Sequence, residues 1–197
     1  MKLKLYFIAF LFLSIHSLKA QTNDLQDVWQ RQMSTQKTGM YVLSGWSVAN
    51  IAVSGIAVGQ AEGSTKHFHE MNIYWNVVNL GIAGLGFLAI NKQKSQNASL
   101  ANVIDVQHSL EKTLLFNSGL DLAYMASGAY LIEKGKNQID ITDKNRQKGF
   151  GQSILVQGGF LLVFDVTNYF LHQSNNRKIK RILEKVDLSS NGVSIRL

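Results

Sequence analysis

Charged residues are absent from positions 38–61 and 71–91, while positions 113–132 and 149–172 carry one each, Asp121 and Asp165. Charged and amide-rich stretches separate these four segments. A helix needs about 20 mostly apolar residues to cross a hydrocarbon core of about 30 Å. The pattern therefore predicts four transmembrane helices, at about 39–60, 71–91, 113–133 and 149–172. Helices of a soluble bundle show an apolar stripe and a charged face. These segments lack the charged face, and their polar residues are Gly, Ser, Asn and Gln. That is the palette of helices packed in membranes, where small residues allow close approach and amides bond between helices. A secreted soluble helical bundle is the competing reading of the same pattern.

Positions 23–37 place Leu25, Val28, Trp29 and Met33 at helical spacing, and positions 99–112 do the same with Leu100, Val103, Ile104 and Leu110. Each reads as an amphipathic helix lying at the membrane surface and running into the span that follows. From position 175 the chain starts as a basic helix and ends in Asn191-Gly192-Val193-Ser194-Ile195-Arg196-Leu197, whose last residues alternate like a short strand. Such a strand is expected either to be disordered or to pair with another chain. At the other end, Lys2 and Lys4 precede an apolar run from Leu5 to Leu18, and Ala20 supplies a small residue. This is the layout of a secretory signal peptide over 1–20, with an uncleaved anchor as the other reading. The expected organisation is that signal, a membrane domain over 21–174 and a basic tail over 175–197.

Composition sharpens this picture. The chain has no proline, which suits long uninterrupted helices, because proline removes a backbone donor and breaks helix interiors. It has no cysteine, so disulfide frameworks, thiolate metal sites and thiol catalysis are excluded. Loss of residues 1–20 would lower the net charge from +7 to +4, and the basic residues do not interleave with aromatics, so nucleic acid is not an expected partner. A signal-led topology would leave six Lys and Arg on the cytoplasmic side and eleven outside, against the positive-inside rule.

Each span carries one polar stripe. Asp121 shares a helical face with Asn117, Tyr124 and Gly128; Asp165 shares one with Gln157, Asn168 and His172. Asn72, Trp75, Asn76 and Asn79 line up in the second span, and Trp46, Asn50 and Ser54 in the first. Ionisable residues in a membrane by default face the bundle interior and mark a site. Converging stripes would form one polar core, in which Asp121 and Asp165 share a proton or coordinate a cation, surrounded by Asn50, Asn76, Asn79, Asn117, Gln157 and Asn168. The plainer reading is that these amides only bond helices together. His67, His69 and Glu70, taken as a loop, are weak metal candidates: histidines two apart can share a metal on an extended segment, and a carboxylate would suit zinc. Gly55 and Gly59 form a Gly-x-x-x-Gly, and Gly81, Gly84 and Gly86 crowd the second span; the pattern permits close helix contact, either inside the chain or in a dimer. No phosphate loop, nucleophile elbow or triad spacing is present, so no catalytic residue, metal or cofactor is expected.

An offset of 74 residues lays Ser44-Gly45 on Ser118-Gly119 and Ala49 on Ala123, which suggests a two-fold repeat of a surface helix followed by a two-span hairpin. The strings GMYVLSGWSVANIAVSG, FHEMNIYWNVVNLGIAGLG, DLAYMASGAYLIEKG and GFGQSILVQGGFLLVFD together resemble a bacterial family of small, signal-bearing, multi-pass membrane proteins classed only as a domain of unknown function. The resemblance covers 39–172 and implies a helical membrane fold with no assigned catalytic residues. The expectation is an all-α, four-span antiparallel bundle in the bacterial inner membrane. It would act as a non-enzymatic scaffold or subunit, or alternatively as a small transporter or proton/cation-site protein. The expected partners are the lipid bilayer and further copies of the chain or other membrane proteins.

Overall fold

The computed structural model describes residues 2–96, 98–184, 186–189 and 192–195, with side chains described for 24–96 and 98–184. They form α1 (Lys2–Ala57), α2 (Gly63–Lys94), α3 (Leu100–Lys136), α4 (Ile141–Gln173), α5 (Asn176–Glu184) and the strands β1 (Val186–Ser189) and β2 (Gly192–Ile195). The segment expected to be a signal peptide lies outside the residues whose side chains are described. Local chemistry accounts for the helix boundaries. Ser99 Oγ accepts from the Asn102 amide at 3.1 Å and caps α3, and Asp140 Oδ1 accepts from the Asp143 amide at 2.8 Å and caps α4. Gly63 starts α2 at φ 56°, a backbone conformation that side chains disfavour. Lys92 and Lys94 close α2, and Lys134 and Lys136 close α3, where positive charge complements the helix dipole.

The four long helices run up, down, up and down. α4 packs along both α3 and α2, and α2 packs along α1, while α2 and α3 do not pack along each other. Trp75 of α2 and Tyr124 of α3 meet across that gap, edge to face at 4.9 Å. α1, α2 and α4 are long and apolar enough to cross a membrane; α3 has the length but not the apolarity, with Asn117, Ser118, Asp121 and Ser127 in its middle. The interior is inverted relative to a soluble bundle. Ser47, Asn72, Asn76, Gln157 and Asp121 are buried along the middle of the helices, whereas Val53, Ile56, Leu85, Phe116 and Val163 point outward.

The apolar core sits instead at one end. Val28, Trp29 and Met33 of α1, Ile90 of α2, Val103 of α3, and Ile179 and Ile182 of α5 form one buried cluster. This corrects the expectation for 23–37 and 99–112. Both stretches are continuous with their long helices, and their apolar faces pack on each other and on α5, so neither is a separate surface helix. An amphipathic stripe looks the same in sequence whether its partner is lipid or protein. Amides lock the layer. Gln32 Nε2 donates to Val103 O and to Gln107 Oε1, both at 3.0 Å, and Gln107 Nε2 donates to His172 O at 2.8 Å. The tail is corrected as well: β2 pairs antiparallel with β1 of the same chain, Val186 opposite Ile195 and Ser189 opposite Gly192.

α5 is also held by charge. Lys178 Nζ donates to Asp27 Oδ2 at 2.6 Å, and Arg31 Nε reaches both Asp27 oxygens at 3.2 Å. The Lys178 hydrogen bond, with Arg31 adding to it, holds the Asp27 carboxyl below its ordinary value of 3.8. A depressed folded value means that the contact stabilises above the unfolded value and is lost as the pH falls through the folded one. The protection of the Ile179 and Ile182 amides against hydrogen exchange, taken relative to the intrinsic rate at each pH, should therefore hold from pH 7 down to about pH 4 and fall only below it. In Asp27→Asn the step should vanish. The effect will be small, since Asp27 is 49% exposed and such pairs contribute little. An identical step in Asp27→Asn would assign it to another group.

Candidate functional site

The polar stripes meet in two separate layers rather than one core. The first layer lies toward the α1–α2 turn. Asn72 Nδ2 donates to Ser54 Oγ at 2.7 Å and to Asn50 Oδ1 at 3.0 Å. Gln157 Nε2 donates to Asn72 Oδ1, and Gln157 Oε1 accepts from Trp46 Nε1 at 2.9 Å. The Trp46 ring stacks on Phe160 at 3.9 Å with the planes 3° apart. Asn76 turns back on its own helix and donates to Asn72 O at 2.8 Å, leaving its Oδ1 without a protein partner. This layer joins α1, α2 and α4 and is almost fully satisfied.

The second layer lies about two helical turns away and is not satisfied. It contains Asp121 of α3 and Asp165 of α4, which are 3% and 5% exposed. Their carboxyl groups are within hydrogen-bonding reach of each other, and Asn117 reaches Asp165. No Lys or Arg pairs with either carboxyl among the described residues. A hydrogen bond between two carboxyl groups requires a proton on one of them. Asp121 Oδ2, Asn79 Nδ2 and His172 Nδ1 are buried with no protein partner. All three residues line a cavity of about 390 Å³ between α2 and α3, floored by α4 and bounded on the α2 side by Gln36, Met40 and Leu43 of α1. Asn117 and Asn168 also line it, with Asn168 Nδ2 turned back to Phe164 O at 2.8 Å. Its walls are apolar, including Ile82, Ile90, Leu114 and Leu161.

The predicted polar residues thus divide. Asn50 and Gln157 belong to the satisfied layer, beside Asn76; Asp121, Asp165, Asn79, Asn117 and Asn168 belong to the cavity. His67 and His69 lie on α2 rather than in a loop, so their side chains diverge. His67 Nδ1 meets Glu70 Oε2 at 2.7 Å, whereas His69 Nδ1 meets Ser54 Oγ at 3.1 Å. The two rings therefore do not converge on a common metal position.

Backbone-to-backbone contact between helices falls at glycines other than Gly55, Gly59, Gly81, Gly84 and Gly86. Gly55, Gly59, Gly81 and Gly84 have open space where a Cβ would project, whereas a Cβ at Gly86 would run into Met40 of α1, a close contact between helices of the expected kind. Close contact occurs at Gly128 against Gly151, at Gly158 against Asp121 O, and at Gly149 against Ser64 and Phe68. These glycines press α4 onto α3 and α2 and so bring Asp165 beside Asp121.

Four antiparallel helices with an apolar exterior and a polar interior, three of them fit to cross a membrane, define an all-helical bundle of membrane-protein composition. The chain belongs to DUF6992, a family of unknown function, which matches residues 42–166. The matched stretch contains the whole Gln157 layer and both carboxyl groups, and ends before Asn168 and His172. No curated protein and no solved structure matches the chain.

Proposed function

We propose that this protein is a non-enzymatic, four-span protein of the bacterial inner membrane, inserted by a signal peptide, that binds a proton or cation at Asp121 and Asp165. The observation that carries the reading is the carboxyl pair itself: buried, facing each other, without a cationic side chain, on the floor of a cavity. Buried charge that only holds a fold together is normally paired, because an unpaired one costs several kcal/mol, of order 3–5 when a partner is lost. Intramembrane carboxyl groups otherwise serve ion and proton pathways. The inverted distribution of polar and apolar residues supports the bilayer as solvent, with α3 shielding its polar face against α4.

The test is ligand-linked stability. A ligand that binds only the folded state raises stability by RT ln(1 + [L]/Kd), about 2.7 kcal/mol at a hundredfold excess over Kd. In lipid nanodiscs, the unfolding midpoint of the wild type should respond to the concentration of Na⁺, K⁺ or NH₄⁺, or to pH. In Asp121→Asn/Asp165→Asn the response to the cations, and to pH above the range in which Asp27 titrates, should disappear while expression and helicity stay normal. A wild-type midpoint indifferent to all four rejects the site.

The second reading, a scaffold or subunit of a membrane assembly, draws on the other layer. The Trp46–Gln157–Asn72–Asn50 chain is the kind of interhelical bonding that makes a rigid platform. Under that reading both Asn variants retain every property except a shift in stability.

A further inference from the structure

We infer that the cavity between α2 and α3 takes a lipid-soluble organic monocation, an ammonium on an apolar body, which enters sideways from the bilayer. The inference rests on the carboxyl-site reading and adds the chemistry and route of the occupant. Charge comes first. Two carboxyl groups buried together without a Lys or Arg partner among the described residues are held at least cost with one proton between them and one negative charge, which a single positive charge balances. Among the described residues no three His, Asp or Glu side chains gather to hold a metal, so the donor set does not suit a multivalent ion.

Hydrogen bonding points the same way. An ammonium brings donors only, and the floor offers acceptors. Asp121 Oδ2 is buried with no donor to it and the Asp165 carboxyl stands beside it, whereas the unpaired donor of the cavity, Asn79 Nδ2, belongs to α2 on the other wall. Shape and access set the rest. The cavity, at 390 Å³, falls within the range of about 300–1,000 Å³ usual for small-molecule sites. That is far more room than a bare alkali ion needs, and Ile82, Leu114, Leu120 and Leu161 line it with hydrocarbon. α2 and α3 do not pack along each other, so the opening faces the side of the bundle where exposed Leu85, Leu88 and Phe116 meet lipid. A ligand dissolved in the bilayer reaches the carboxyl groups through that side.

The probe is dodecylammonium, with dodecanol as its neutral twin, each added to full-length protein in phosphatidylcholine nanodiscs. Native mass spectrometry of the released protein counts the probe retained per chain. The wild type should retain one dodecylammonium and no dodecanol. Retention should fall at least tenfold in Asp121→Asn/Asp165→Asn. A second variant, Ala89→Trp, fills the mouth at an exposed wall position without touching the carboxyl groups, and should lose dodecylammonium while keeping its response to Na⁺, K⁺, NH₄⁺ or pH. Equal retention of amine and alcohol, or equal retention by wild type and the double Asn variant, overturns the inference. If the small cations or protons still shift the wild-type midpoint in that case, the carboxyl site stands and only its organic occupant is rejected. If they do not, both readings fall together.

Discussion

Replacing Gly128 by alanine is expected to loosen α3 from α4, and replacing it by leucine to separate them. An ideal Cβ at Gly128 would lie 2.7 Å from Gly151 O and 3.0 Å from Leu155 N. The reverse holds too: a Cβ at Gly151 would lie 2.5 Å from Gly128 O and 2.9 Å from Ile132 N. These neighbours are backbone atoms of the opposing helix, so no side-chain rotation relieves the clash and one helix must move. Helix propensity acts in the other direction, since alanine is favoured over glycine by about 1 kcal/mol in a helix interior. Overpacking costs about 1–3 kcal/mol where side chains can shift, and here only the backbone can. The clash therefore wins, with an expected net loss of about 2 kcal/mol for Gly128→Ala and more for Gly128→Leu. The measurement is unfolding in mixed detergent micelles with Gly84→Ala as control. Gly84 has open space, so that variant should be neutral or gain up to about 1 kcal/mol. Wild-type stability in Gly128→Ala would show that the two helices are not in backbone contact.

The same crossing explains what the sequence could and could not disclose. The charge-poor segments and the polar stripes are local properties, so the number, direction and inward faces of the long helices were legible. Asp121 and Asp165 were both expected in the interior, and they do face each other there. The sorting of the amides into two layers was not legible, because it depends on the axial offset between helices. Asn72, Asn76 and Asn79 share one face of α2, and nothing in their spacing says that Gln157 reaches Asn72 rather than either of the others. Gly55 and Gly59 of α1 have the four-residue spacing of a helix-contact motif but face open space, while Gly128 and Gly151, which lie on different helices and so form no local motif, make the contact. Positions 23–37 hid their partner for a related reason: an apolar stripe does not say whether lipid, α3 or α5 will cover it. The cavity, finally, is a gap between two helices that fail to pack, and no single segment carries a signal for that.

Gln157→Leu should destabilise the bundle without touching the response to ligand. The side chain is fully buried and joins three residues on two other helices. Leucine keeps the bulk and removes both amide functions, so Trp46 Nε1 and one lone pair of Asn72 Oδ1 lose a partner. A buried group left unmet costs about 1–3 kcal/mol, whereas an interhelical bond between side chains in membranes averages only about 0.6 kcal/mol. The larger figure governs Asn72, which is 3% exposed; the smaller governs Trp46, whose half-buried indole can find another acceptor. The expected loss is about 2 kcal/mol. Asn72→Leu should cost a similar amount, and the double variant clearly less than the sum, because removing both partners leaves fewer orphaned atoms. Additive losses would mean that the two amides do not interact. Eight residues, about 12 Å of helix, separate Gln157 from Asp165. Cation- or pH-linked stabilisation should therefore survive in Gln157→Leu and be absent in Asp165→Asn. That contrast assigns bonding between helices to one layer and binding to the other, and a ligand response lost equally in both variants would merge them into a single structural core.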